Sequence, residues 1–115
     1  MFSWLTRPWF QARSLSVLQT HFSQPLANPL PAFEARLLRG AVDLTMKEGG
    51  TPFDAATRFY AGYAETAVRQ GRSLNDIGFG GVLGRLAGLR GQMKFYDEHL
   101  AALKTVSQSD TGAAK

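Results

Sequence analysis

The chain has 115 residues, 44% of them hydrophobic, with 13 basic against 9 acidic side chains, a formal charge of +4 and no cysteine. That length supports one domain with a single core, read as residues 1–106 with a mobile tail at 107–115, and the ordinary composition excludes wholesale disorder. Absence of cysteine excludes a disulfide framework, a thiolate metal site and a cysteine nucleophile, and it suits a reducing cytoplasm. The positive excess favours an acidic partner, yet no two basic residues are adjacent, so no concentrated nucleic-acid footprint exists.

In chain order, "MFSWLTRPWF" lacks the basic start, continuous apolar core and small-residue cleavage site of a signal peptide. The longest uncharged apolar stretch elsewhere runs over eight residues from Ile77 to Gly84, whereas a spanning helix needs about 20, so no transmembrane segment is expected. Thr6 can cap a first helix over 6–23, with Pro8 in its first turn and Ala12, Leu15, Leu18 and Phe22 on one face. The three prolines of "QPLANPLP" then predict a break or an extended connector. A second helix over 31–48 carries Phe33, Leu37, Ala41 and Leu44 at the spacing of a core-facing stripe, and Gly49-Gly50 ends it. Thr51-Pro52-Phe53-Asp54 supplies a capping hydroxyl, a first-turn proline and a carboxylate, opening a third helix over 52–70. That helix turns Ala56, Phe59, Tyr60, Tyr63, Ala64 and Ala67 inward.

Ser73-Leu74-Asn75-Asp76 repeats the capping pattern ahead of a fourth helix over 74–105. Its apolar positions, Phe79, Val82, Leu86, Leu89, Met93, Tyr96, Leu100 and Leu103, alternate steps of three and four, the seam of a bundle. Leu86, Leu89, Met93, Tyr96 and Leu100 are therefore expected in the core. Strand-like alternation is absent, so the fold class is all-α: a compact bundle of about four helices. A seam, a glycine face and an aromatic N-terminus exceed what one small core covers, which predicts a homodimer with two-fold symmetry.

Two features carry the functional reading. "IGFGGVLGRLAGLRG" (77–91) departs from the dinucleotide fingerprint at Leu83 and lacks the lysine of a P-loop; it is too short, and broken by Arg85 and Arg90, for a membrane zipper. On a helix, Gly80, Gly84, Gly88 and Gly91 lie opposite the apolar seam, with Phe95 continuing their row. Each interior glycine costs about 1 kcal/mol relative to alanine, so the row calls for a neighbour. Either a helix of the same chain approaches it, or the helix breaks near Gly78–Gly81, or a second copy or partner protein docks on it. The second feature is the N-terminal cluster Phe2, Trp4, Leu5, Trp9 and Phe10, which docks on the chain's own helices, serves as a protein interface, or rests on a membrane surface beside Arg7 and Arg13.

Catalytic patterns are sparse. His21 and His99 belong to no metal-binding spacing, and His99, beside Asp97 and Glu98, reads as a surface histidine. No G-x-S-x-G occurs and no carboxylate pair is placed for hydrolysis, so neither an enzyme nor a cofactor or metal is expected. Helix two, "KEGGT" and helix three resemble a helix-turn-helix, the basis of an alternative nucleic-acid reading. The third helix displays Phe, Tyr and Ala where base readout needs Arg, Asn or Gln, which disfavours it.

In its length, helical layout and lack of active-site residues the chain resembles the small bacterial anti-activators of the QslA type, which bind a quorum-sensing transcription factor. The resemblance implies a homodimer that occupies the regulator's ligand-binding domain and blocks its dimerisation or DNA binding. It carries over no individual residue.

Overall fold

A computed structural model describes residues 3–22 and 31–113, with side chains described over 7–22 and 31–109. The described residues are helical without a strand: α1 (Ser3–His21), α2 (Ala32–Glu48), α3 (Pro52–Arg69), α4 (Val82–Gly88) and α5 (Tyr96–Ala113), with 3₁₀ turns at Asn75–Ile77 and Arg90–Gln92. The connector "QPLANPLP" lies, save for Pro31, outside the described residues.

α3 is the hub: α1, α2 and α5 all pack against it. Its start is the capping box expected from the sequence. The Thr51 side chain accepts from the Asp54 amide, and the Asp54 carboxylate accepts from the Thr51 amide at 2.8 Å, with Pro52 at the first helical position. Ala56, Phe59, Tyr60, Ala64 and Ala67 are buried as expected, and Tyr63 is half-buried. Tyr60 stacks between Phe22, just past the end of α1 (5.1 Å between centroids), and Phe79 of the 78–81 loop (5.8 Å), joining three segments through one ring.

Three expectations are corrected. α1 begins at Ser3, so Thr6 does not cap it and Pro8 lies within it. α2 turns Leu38, Val42 and Thr45 into the core, leaving Phe33 42% and Leu44 47% exposed. α2 therefore has two apolar stripes, and the buried one, displaced by a single residue from the expected set, obeys the same spacing rule.

The single helix over 74–105 is in fact four elements. Gly78 and Gly81 adopt positive φ (76° and 75°), which an L side chain rarely does, and the chain turns there before α4. Arg85 fastens this turn by donating to the Gly80 carbonyl at 3.0 Å and the Gly78 carbonyl at 3.1 Å. A second break follows α4, where Met93 is extended (φ −118°, ψ 144°). The predicted seam nevertheless points inward: Phe79, Val82, Leu86, Leu89 and Leu103 are buried, and Met93, Tyr96 and Leu100 are half-buried against the core. α5 continues to Ala113, past the boundary at 106.

Candidate protein-binding surfaces

The glycine row lies on the outside of the molecule. Gly80, Gly84, Gly88 and Gly91 are exposed, and a Cβ added at Gly84, Gly88 or Gly91 would meet nothing within 4 Å; at Gly80 it would just reach Asn75 Oδ1 at 4.0 Å. Among the described residues no helix lies over them, so close packing within that part of the fold is not their purpose. The break near Gly78–Gly81 accounts for Gly78 and Gly81 alone. Phe95 does not continue the row: the second break separates it from α4, and it is half-buried between the Arg58 guanidinium (5.2 Å from the ring centroid) and the Lys94 ammonium (5.4 Å). Its ring helps explain Gly50, where a Cβ would sit 2.7 Å from Thr45 Cγ2 and 3.2 Å from Phe95 Cε2.

The aromatic N-terminus divides. Phe10 is buried in the core, whereas Trp9 is 58% exposed. Phe2, and the side chains of Trp4 and Leu5, lie outside what the structure describes. Trp9 sits on the flank of α1 away from α2, because Arg7, Pro8, Gln11, Ala12 and Leu15 form the side of α1 that borders a groove with Ala35 and Arg39 of α2.

Because α4 has open space above it, alanine at Gly84 should stabilise the helix by about 1 kcal/mol, and alanine at Gly88, the last residue of α4, by less, both read as a higher melting temperature. A lower melt in either variant would place an unseen contact on that face.

The structure also holds a buried charged centre that residue spacing did not reveal. His99 is only 4% exposed, not a surface histidine, and its Nε2 lies 2.9 Å from Oδ1 of the fully buried Asp54. Asp54 further accepts from the Lys94 amide at 3.0 Å and the Phe95 amide at 2.9 Å, while the Thr51 hydroxyl donates to the Gln92 carbonyl at 2.7 Å. One carboxylate thus caps two helices, α3 in its own sequence and α5 from 40 residues away. Burial alone would raise the Asp54 pKa, but the bonds from Thr51, Lys94, Phe95 and His99 more than offset it and hold the pKa below the ordinary carboxylate value. Burial lowers the His99 pKa despite the attraction of Asp54, so the pair is an ionised carboxylate accepting from a neutral imidazole. The only sequence signal for this centre was Asp54 in the capping box; nothing local to His99 pointed to it.

Chemically the pair is acid–base machinery in geometry alone. Asp54 has no exposed surface, so a substrate could meet it only by parting α3 from α5. No group of three or more His, Cys, Asp or Glu side chains that could hold a metal ion occurs among the described residues. Comparison with family models, with curated proteins and with solved structures gives no match. No helix among the described residues is long and apolar enough to cross a membrane.

Proposed function

We propose that this protein is a non-enzymatic, cytoplasmic regulator that acts as a homodimer by binding another protein, and that the glycine face of α4 receives the partner. The carrying observation is that Gly84, Gly88 and Gly91 are exposed and that, among the described residues, no neighbouring segment comes within 4 Å of the side chain each lacks. Gly84, inside α4 and not used by the described fold, costs it about 1 kcal/mol, a cost that close approach of a partner's backbone would justify. Trp9, a residue type that carries binding energy when covered, is the more exposed of the two exposed aromatics among the described residues, the other being Phe33. The resemblance to anti-activators supplies the partner class, a transcription regulator.

The nucleic-acid alternative loses its main support in the packing. α3, the recognition helix of that reading, is the hub of the core, and Arg58 on it is already bound to Thr45 and Glu48. Docking of Trp9 on a membrane surface has no further observation in its favour.

The test is capture of partners from native cytosol, identified by mass spectrometry, with wild type beside Gly84→Leu and Gly88→Leu. The expected result is one regulator retained by wild type and lost by both variants, whose melts are not lowered. Retention by both variants would move the site off α4. Salt-resistant retention of one DNA duplex over scrambled competitors would replace the reading with the nucleic-acid one.

A further inference from the structure

The stripe of α2 that sequence spacing assigns to the core lies outside it. Phe33, Leu37, Gly40 and Leu44 fall within about 60° of arc, because successive helical residues turn 100°. Phe33 and Leu44 are exposed, Leu37 is half-buried against Gly62 of α3, and a Cβ at Gly40 would meet nothing within 4 Å. This is an apolar strip with a bare backbone patch near its middle. Nothing among the described residues requires glycine at that position.

The charges beside the strip select its occupant. Arg36 and Asp43 lie on the same rim of α2, one on each side of Gly40 and nearly equidistant from it. Arg36 makes no ion pair among the described residues, and Asp43 binds Arg7 through Oδ2. If a second α2 runs antiparallel across the first with its midpoint at Gly40, the two-fold axis brings Arg36 of each copy beside Asp43 of the other. The same register sets Leu37 beside Leu44 of the other copy, and Phe33 beside the aliphatic stem of Lys47. The two bare Gly40 backbones meet at the crossing. A self-complementary surface of this kind is what a two-fold interface requires, since each residue i that meets j must have j meeting i. An unrelated helix would have no reason to match this spacing of opposite charges about a glycine.

We infer that α2 is the self-association surface of this protein: two copies pair antiparallel through Phe33, Leu37, Gly40 and Leu44, centred on Gly40 and flanked by reciprocal Arg36–Asp43 ion pairs. The inference rests on the homodimer in the proposed function and specifies its face, which leaves the glycine face of α4 free for the partner.

The experiment is light scattering coupled to size exclusion, with circular dichroism melts as the control for folding. Wild type should be a dimer at high micromolar concentration. Leu44→Glu and Gly40→Glu place carboxylates at exposed positions, so each should keep the monomer fold while weakening the dimer about tenfold or more. Arg36→Asp should weaken it as well, by setting two carboxylates face to face, and Arg36→Asp combined with Asp43→Arg should recover part of the loss. That recovery is specific to a reciprocal pair. A wild type that stays monomeric overturns the homodimer itself and leaves the strip to a partner's helix. A dimer indifferent to Leu44→Glu and Gly40→Glu overturns this face while the homodimer stands. Because Asp43→Arg also breaks the ion pair with Arg7, failure of the double charge reversal to recover any association, with a melt no lower than that of Asp43→Arg alone, overturns the antiparallel register.

Discussion

Replacement of Asp54 by alanine is expected to cost the fold about 3–5 kcal/mol, the penalty for removing one partner of a buried charged network. Total stability of a small domain is about 5–15 kcal/mol, so the variant should be marginal at room temperature. The size of the effect follows from how many groups one carboxylate serves. It accepts from the amides of Thr51, Lys94 and Phe95 and from His99 Nε2, at 2.8 to 3.0 Å, and truncation leaves all four donors without it. Asp54→Asn is the finer probe: it keeps the volume but replaces one acceptor oxygen with a donor aimed at an amide or at the imidazole. Urea unfolding should show both variants far below wild type, with alanine not the milder. A loss under about 1 kcal/mol for Asp54→Ala would mean that water replaces the carboxylate at both helix starts.

The same centre sets the response to acid. The folded pKa of Asp54 lies below its ordinary 3.8, so its stabilisation is present above that value and is lost as pH falls through the folded pKa. The folded pKa of His99 also lies below its ordinary 6.5, which means the fold favours the neutral ring; stability is complete above 6.5 and declines as pH drops toward the folded value. Both contributions have the same sign, so acid destabilises in two successive steps. His99→Gln, whose amide can still donate to Asp54, should remove the upper step and leave the lower one. Melting temperatures of the two proteins from pH 7.5 downward give the check.

The extents of the second and third helices were legible because their stop and start signals are local, whereas the local start signals at Thr6 and Pro8 misplaced the beginning of α1. Thr51 and Asp54 lie three residues apart, and Gly49-Gly50 marks the stop before them, so the α3 boundary was readable to within a residue. The fourth helix was misread because hydrophobic periodicity reports which side faces the core and not whether the helix is continuous. Leu86, Leu89 and Leu103 all point inward across the second interruption. The start of α5 was beyond local reading altogether. Position 95, where a capping side chain would stand, is Phe, and the cap comes from Asp54 on another helix. His99 was misplaced for the same reason: its partner is 45 residues away. On α2 two stripes satisfied one spacing rule, and only packing against α3 decides between them. The glycine face was identified as a surface to be explained, but sequence could not say that it would be open; its place outside the core follows from the turn that Gly78 and Gly81 make ahead of α4.

Tyr60→Ala is the other variant expected to unfold the protein readily, at a cost of about 3–5 kcal/mol for a large buried aromatic. The ring is fully buried between Phe22 and Phe79, so its loss opens a cavity where α1, α3 and the 78–81 loop meet. None of those segments can collapse into the space alone, since each is held elsewhere: Phe22 by the end of α1, and the loop by Arg85. Tyr60→Phe separates ring from hydroxyl. The hydroxyl donates to the Ile77 carbonyl across 3.4 Å, a long bond, so its removal should cost no more than about 1 kcal/mol. Burial pushes the phenol pKa up to about 12, which keeps it protonated throughout any practical titration and separates this site from the acid response of Asp54 and His99. Phe79 leads directly into Gly80, Gly81 and α4, so the cavity acts on the proposed partner surface from behind. Tyr60→Phe should therefore bind the partner as wild type does. Tyr60→Ala, assayed at low temperature where its helices persist, should bind more weakly although residue 60 lies beneath the surface the partner would touch. Full binding by Tyr60→Ala would show that the glycine face does not depend on the position of the 78–81 loop.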